Sequence, residues 1–128
     1  MICGLRNYTP AIAKPTSFSW VNADGDNVTE ITSKRCDVNP KDGLVFISCL
    51  IYKNKDILEK SIESLLKRGC TTNGEYYIDE SLNDSINLGY KVKVLEIDSY
   101  INWGTPEELA MFNWWINFFN KIRHEYLA

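Results

Sequence analysis

The sequence predicts an α/β fold in which a mixed β-sheet is flanked by helices. Three observations carry that reading. Runs rich in Val, Ile and Phe at 28–33, 44–52 and 92–97 have the length and composition of strands. An amphipathic run at 54–68 closes on Gly69, a usual helix stop. Finally, Thr105-Pro106-Glu107-Glu108 is a helix start placed directly after the last strand: Thr at the N-cap, Pro at the first helical position, and Glu three residues on to close a capping box.

In chain order, residues 2–5 read as a short strand. Pro10 and Pro15 make 9–15 a connector, since proline removes a donor and discourages helix and central strand alike. Strands at 18–22 and 28–33 flank the turn-rich Ala23-Asp24-Gly25-Asp26-Asn27 and form a hairpin. Residues 37–43 are a loop, and 44–52 is apolar enough for a strand covered on both faces. The helix at 54–68 sets Leu58, Ile62, Leu65 and Leu66 on one face, with Asp56/Lys60 and Glu63/Lys67 spaced as ion pairs on the other. After a polar loop, a shorter helix at 79–88 keeps Ile78, Leu82 and Ile86 in register and stops at Gly89. The strand at 92–97 leads into the helix at 105–126.

The 128 residues are one domain in size, 1–128, with ordinary globular composition at 45% apolar and 24% charged. A net charge of −3 and the lack of a Lys/Arg cluster argue against nucleic acid, whose phosphates demand a basic face. The longest apolar runs are too short to span a membrane, and the N-terminus lacks the basic-then-apolar order of a signal peptide, so the expectation is a cytoplasmic chain. Cys3, Cys36, Cys49 and Cys70 are irregularly spaced and read as reduced thiols. With His124 the sole histidine there is no zinc set, and its position suits a surface residue.

Ligands of α/β proteins gather where strands end and helices begin, which singles out 98–108. Asp98, Tyr100 and Asn102 alternate there and share a face if the segment stays extended. The spelling Ile-Asn-Trp-Gly-Thr-Pro-Glu-Glu-Leu at 101–109 resembles the C-terminal signature of sugar-phosphate nucleotidyltransferases of the glucose-1-phosphate thymidylyltransferase type. Asn73-Gly74-Glu75-Tyr76-Tyr77-Ile78-Asp79-Glu80 and Leu88-Gly89-Tyr90-Lys91-Val92 are similar to the block that precedes it. Phe18-Ser19-Trp20-Val21, the turn at 23–26 and Thr32-Ser33-Lys34 follow the family order further upstream. The resemblance spans nearly the whole chain but only the second half of that family's Rossmann-like catalytic domain. The Gly-rich, Arg-containing nucleotide loop of the first half has no counterpart in these residues.

What the resemblance implies is specific. Such enzymes join an NTP to a sugar 1-phosphate and release pyrophosphate, in the making of cell-surface polysaccharide precursors, and a chain without the nucleotide loop is expected to be inactive alone. Lys34 matches the lysine that contacts the sugar phosphate, while its neighbouring glutamate is Ser33 here. Ser19, Gly74 and Glu75 fall at substrate-binding positions: glycine permits close backbone approach, Glu75 can accept from two hydroxyls, and Tyr76 and Tyr77 can stack on the ring. The family's metal-binding aspartate is Asn102 in this sequence, which leaves Asp98 as the carboxylate for Mg²⁺, with Asn102 a weaker neutral ligand. On its residues alone Asp98 fits equally a strand-end carboxylate paired with a backbone N–H or a lysine, Lys34 a solvated cation, and 73–75 a connecting loop.

The helix at 105–126 is apolar round most of its circumference, with Asn113, Asn117, Asn120 and His124 as a narrow polar stripe. Such a helix is either buried or partnered. The expectation is a homo-oligomer, or packing on a separate N-terminal half, through this helix. A non-catalytic binding and oligomerisation module derived from the family is the alternative function.

Overall fold

The computed structural model describes residues 1–126. Its strands are β1 (Ile2–Leu5), β2 (Trp20–Asp24), β3 (Asn27–Thr32), β4 (Leu44–Leu50) and β5 (Val94–Glu96). Its helices are α1 (Thr9–Ala13), α2 (Lys55–Arg68), α3 (Ser81–Asn87) and α4 (Pro106–Tyr126). The strands form one mixed sheet in the order β3-β2-β4-β1-β5, antiparallel except for the parallel β1–β5 pair. β1 lies inside the sheet between β4 and β5. The two edges also touch, because Val28 N donates to Val92 O (2.9 Å), Val94 N donates to Asp26 O (2.9 Å) and Lys93 Nζ reaches Asp26 at 2.6 Å. The outer side of β3 is further covered by Asn83, whose side-chain amide donates to Ile31 O and accepts from Ile31 N, both at 2.8 Å, in the manner of a neighbouring strand.

Two apolar clusters hold the sheet. The larger gathers Ile2, Val21, Val28, Ile31, Leu44 and Phe46 with Leu82 of α3. The smaller sets Ala11, Trp20 and Val45 against Tyr8, Phe18 and Val38. Trp20 also donates Nε1–H to Pro15 O at 2.9 Å. Gly43 lies so close to that indole that a Cβ would stand 2.5 Å from the ring, which excludes any side chain there.

Several expectations are revised. Pro10 does not prevent a helix: it occupies the first turn of α1, where no N–H is needed, and a 3₁₀ turn over Pro15–Ser17 delays the strand to Trp20. β4 is buried on both faces only over Leu44–Phe46, because Ser48 takes a left-handed backbone (φ 62°) and the β1 register shifts there as a bulge. In α2 the buried residues are Ser61 and Leu65, whereas Leu66 is 52% exposed. Its ion pair is Lys55–Glu59 (2.9 Å), and neither Asp56–Lys60 nor Glu63–Lys67 closes within 4.0 Å. The second helix begins with a 3₁₀ turn at Ile78–Glu80, leaving Ile78 exposed, and the last strand contracts to Val94–Glu96. No described helix is long and apolar enough to cross a membrane.

Caps follow the sequence closely. Asn54 Oδ1 accepts from Ile57 N (3.0 Å) at the start of α2, and Gly69 closes it in the αL conformation (φ 66°). At α4 the capping box forms in both directions: Glu108 N donates to Thr105 Oγ1 (3.2 Å) and Thr105 N to Glu108 Oε2 (3.0 Å).

Candidate functional site

The segments leaving the two edge strands converge. Lys34 follows β3, and Tyr100 and Asn102 follow β5. Together with Ser19 before β2, Ser48 in the β4 bulge and Tyr77–Asp79 before α3 they wall a hollow of ≈ 320 Å³. Two of these wall residues, Lys34 (φ 54°) and Ser48 (φ 62°), hold left-handed backbones that are uncommon outside glycine, and such conformations concentrate at ligand sites. The bulge is what turns Ser48 toward the hollow rather than along the strand.

The Lys34 ammonium donates to Ser17 O at 2.6 Å and sits 5.5 Å from the centre of the Tyr77 ring, a cation–π arrangement. It forms no ion pair among the described residues, so its charge is unspent. Ser33 beside it is buried, its N–H donating to Glu80 Oε1 (3.4 Å), while its hydroxyl has no hydrogen-bond partner. Across the hollow the Tyr100 hydroxyl donates to Asn102 Oδ1 (3.2 Å), and Asn102 Nδ2 donates to Glu108 Oε1 (3.0 Å), tying the wall to the first turn of α4. The Tyr77 hydroxyl donates to Glu75 Oε2 (3.0 Å), and that bond raises its pKa above the ordinary tyrosine value. The chemistry on offer is one cation, one carboxylate (Asp79), several hydroxyls, the Asn102 amide, and the aromatic faces of Tyr77 and Tyr100. That set suits a phosphorylated polyol better than an apolar ligand.

Of the residues singled out in the sequence, Ser19, Lys34 and Asn102 are brought together. Gly74 and Glu75 lie on an exposed two-residue turn with positive φ at Asn73 and Gly74, closed by Thr72 N to Glu75 O (2.9 Å). Glu75 reaches the hollow only through Tyr77. Asp98 is exposed and does not line it.

A magnesium ion wants several hard oxygen donors in near-octahedral array. Asn102 Oδ1 already accepts from Tyr100 and from Gly104 N (3.2 Å), Asp98 stands apart from it, and no three His, Cys, Asp or Glu side chains among the described residues group round one point. The described residues do not fit a magnesium ion held by this chain. Sequence reasoning passed over Ser48 and Asp79 as wall residues. The signal for Ser48 was a lone serine in an otherwise apolar strand.

No protein-family model and no curated protein matches this chain. Among solved structures it is similar to the nucleoside-diphosphate-sugar pyrophosphorylase from Vibrio cholerae RC9, with a TM-score of 0.64 at 16% identity. The match covers 87% of this chain and 44% of that one, so this chain spans less than half of the structure it resembles. At that identity the likeness establishes the fold, a nucleotide-sugar pyrophosphorylase-like α/β sheet.

Proposed function

We propose that the hollow beside Lys34 binds a phosphorylated sugar, and that this chain supplies the sugar-phosphate-binding portion of a nucleotidyltransferase that couples an NTP to a sugar 1-phosphate. In that reaction a phosphate oxygen of the sugar phosphate attacks the α-phosphorus of the NTP. A new P–O bond forms, the bond to the bridging oxygen breaks, and pyrophosphate leaves. The part this chain plays is to hold the acceptor. The Lys34 ammonium neutralises its phosphate, Tyr77 offers a face to the ring, and Ser19, Ser48 and Asn102 meet the hydroxyls.

The single observation that carries the reading is a lysine without an ion pair among the described residues, held in a left-handed backbone at a strand end, on the wall of a hydroxyl-lined hollow. The fold likeness and the resemblance of the 101–109 segment support it. Thermal denaturation with and without glucose 1-phosphate tests it: the chain is stabilised by the sugar phosphate and not by glucose, and Lys34→Ala removes the difference. Equal melting with and without the sugar phosphate contradicts it and favours a second reading, a non-catalytic module of the same fold. The observation behind that second reading is Ser33, whose buried hydroxyl without a partner stands where the family's carboxylate is expected.

A further inference from the structure

The longest element of the chain is the least covered. α4 runs 21 residues, and among the described residues no strand or helix packs along it. Its charge lies at its ends, with Glu107 and Glu108 in the first turn and Lys121 and Arg123 near the last, while 109–120 carry none. Met111, Trp115, Phe119 and Ile122 recur at helical spacing and form one stripe. Trp115 and Phe119 stack at 5.8 Å between centroids, and Trp115 also packs edge-on against Trp114 at 4.7 Å. Met111, Trp115 and Phe119 of the stripe and the body residues Tyr8, Tyr100 and Ile101 wall a largely apolar groove of ≈ 500 Å³, with Asn102 and Glu108 at its polar end.

We propose that this groove receives the α4 of a second copy of the chain, laid antiparallel about a twofold axis beside Trp114 and Trp115. A twofold interface requires a patch complementary to itself, and α4 meets that condition in one orientation only. Laid antiparallel, Glu107 of each copy faces Lys121 of the other, on the same flank of the stripe, and the helix dipoles oppose. Laid parallel, the acidic turns would face each other, as would the basic ones.

The area is sufficient. Met111, Trp114, Trp115, Phe119, Ile101 and Trp103 are each 46–64% exposed. At ~75–125 Å² of exposed surface per large side chain, they and the flanking Ile116 and Phe118 offer roughly 600–1,000 Å² per copy, against about 800 Å² per partner in a stable specific complex. The groove shares Tyr100 and Asn102 with the Lys34 hollow, and self-association through it requires no ligand there.

Sedimentation equilibrium of the full chain tests the proposal. The wild-type chain is expected to be a dimer. Trp115→Lys, on a stretch of α4 along which no described strand or helix packs, weakens association by roughly thirtyfold or more and leaves the far-UV circular dichroism unchanged. Glu107→Lys and Lys121→Glu each weaken it by about two- to tenfold. The double variant E107K/K121E recovers the wild-type dimer, because reversing both ends restores the pairing, even though K121E also removes the 3.8 Å Lys121–Glu125 contact within the helix. A wild-type chain that stays monomeric, association indifferent to Trp115→Lys, or a double variant no better than its singles would each overturn it.

Discussion

Arg68 and Asp84 form an ion pair whose carboxylate is buried while its guanidinium reaches solvent. Asp84 is 1% exposed, and the guanidinium meets it through Nε (3.2 Å) and Nη2 (2.7 Å) while Ser64 Oγ donates to the same carboxylate at 2.8 Å. The Asp84 hydrogen bond raises the Arg68 pKa further above its already high value, so the cation never titrates. Arg68 is itself 37% exposed and Ser64 stays as a donor to Asp84, so solvent screens part of the loss: Arg68→Ala should lower unfolding free energy by roughly 1–2 kcal/mol in urea denaturation. Tyr8 titrates differently. Burial first, then Tyr100 and Glu108, raises its pKa above 10.0. A raised folded-state value means that its contribution is complete below the unfolded pKa and is lost as pH climbs through the folded one. The urea midpoint should therefore hold level to pH ~9 and fall above pH ~10. Tyr8→Phe removes part of that fall, the rest belonging to groups such as Tyr77. An unchanged alkaline slope in the phenylalanine variant would disprove this role for Tyr8.

At the scale of elements, the contact between α2 and α3 is built from serines rather than leucines. Ser61 Oγ meets Ser85 Oγ at 2.7 Å, Ser85 donates to Ser81 O (3.1 Å), and Ser81 donates to Ile78 O (2.6 Å) and meets the Tyr52 hydroxyl at 3.0 Å. Small hydroxyls let the two helix backbones approach while every polar group finds a partner. Ser61→Val forces a larger apolar side chain into that seam and leaves Ser85 with Ser81 O as its remaining partner. It should destabilise by about 1–3 kcal/mol, measured by urea or thermal unfolding, and a neutral result would show that the seam has slack. This seam also marks the limit of what periodicity can reveal. The helix 54–68 was legible from its caps and its 3.6-residue repeat, but the repeat points to Leu66, and the buried face turns instead toward Ser61. The capping box at Thr105 and the stop at Gly69 were legible because each is settled by local backbone chemistry. The β4 bulge was not, since a left-handed Ser48 depends on its pairing with β1.

For the whole molecule, a mixed α/β sheet could be read from alternating strand and helix signals, and of the strand-to-helix turn at 98–108, expected to border a ligand site, Tyr100 and Asn102 line the hollow. The order β3-β2-β4-β1-β5 could not be read, because placing β1 between β4 and β5 depends on contacts across most of the chain. Convergence of Lys34 with Asn102 is a consequence of that order, since the two edge strands meet and deliver the segments that follow them to one place. The same geometry leaves Asp98 outside. That convergence is the proposed binding site. The direct measurement is an amide NMR titration of the chain with glucose 1-phosphate, repeated on Lys34→Ala. Shifts should gather on Ser19, Lys34, Ser48, Tyr77 and Asn102, with affinity falling about tenfold or more in the variant through loss of a charge-assisted contact. Saturating sugar phosphate that moves none of these amides, or that binds wild type and variant alike, would contradict it.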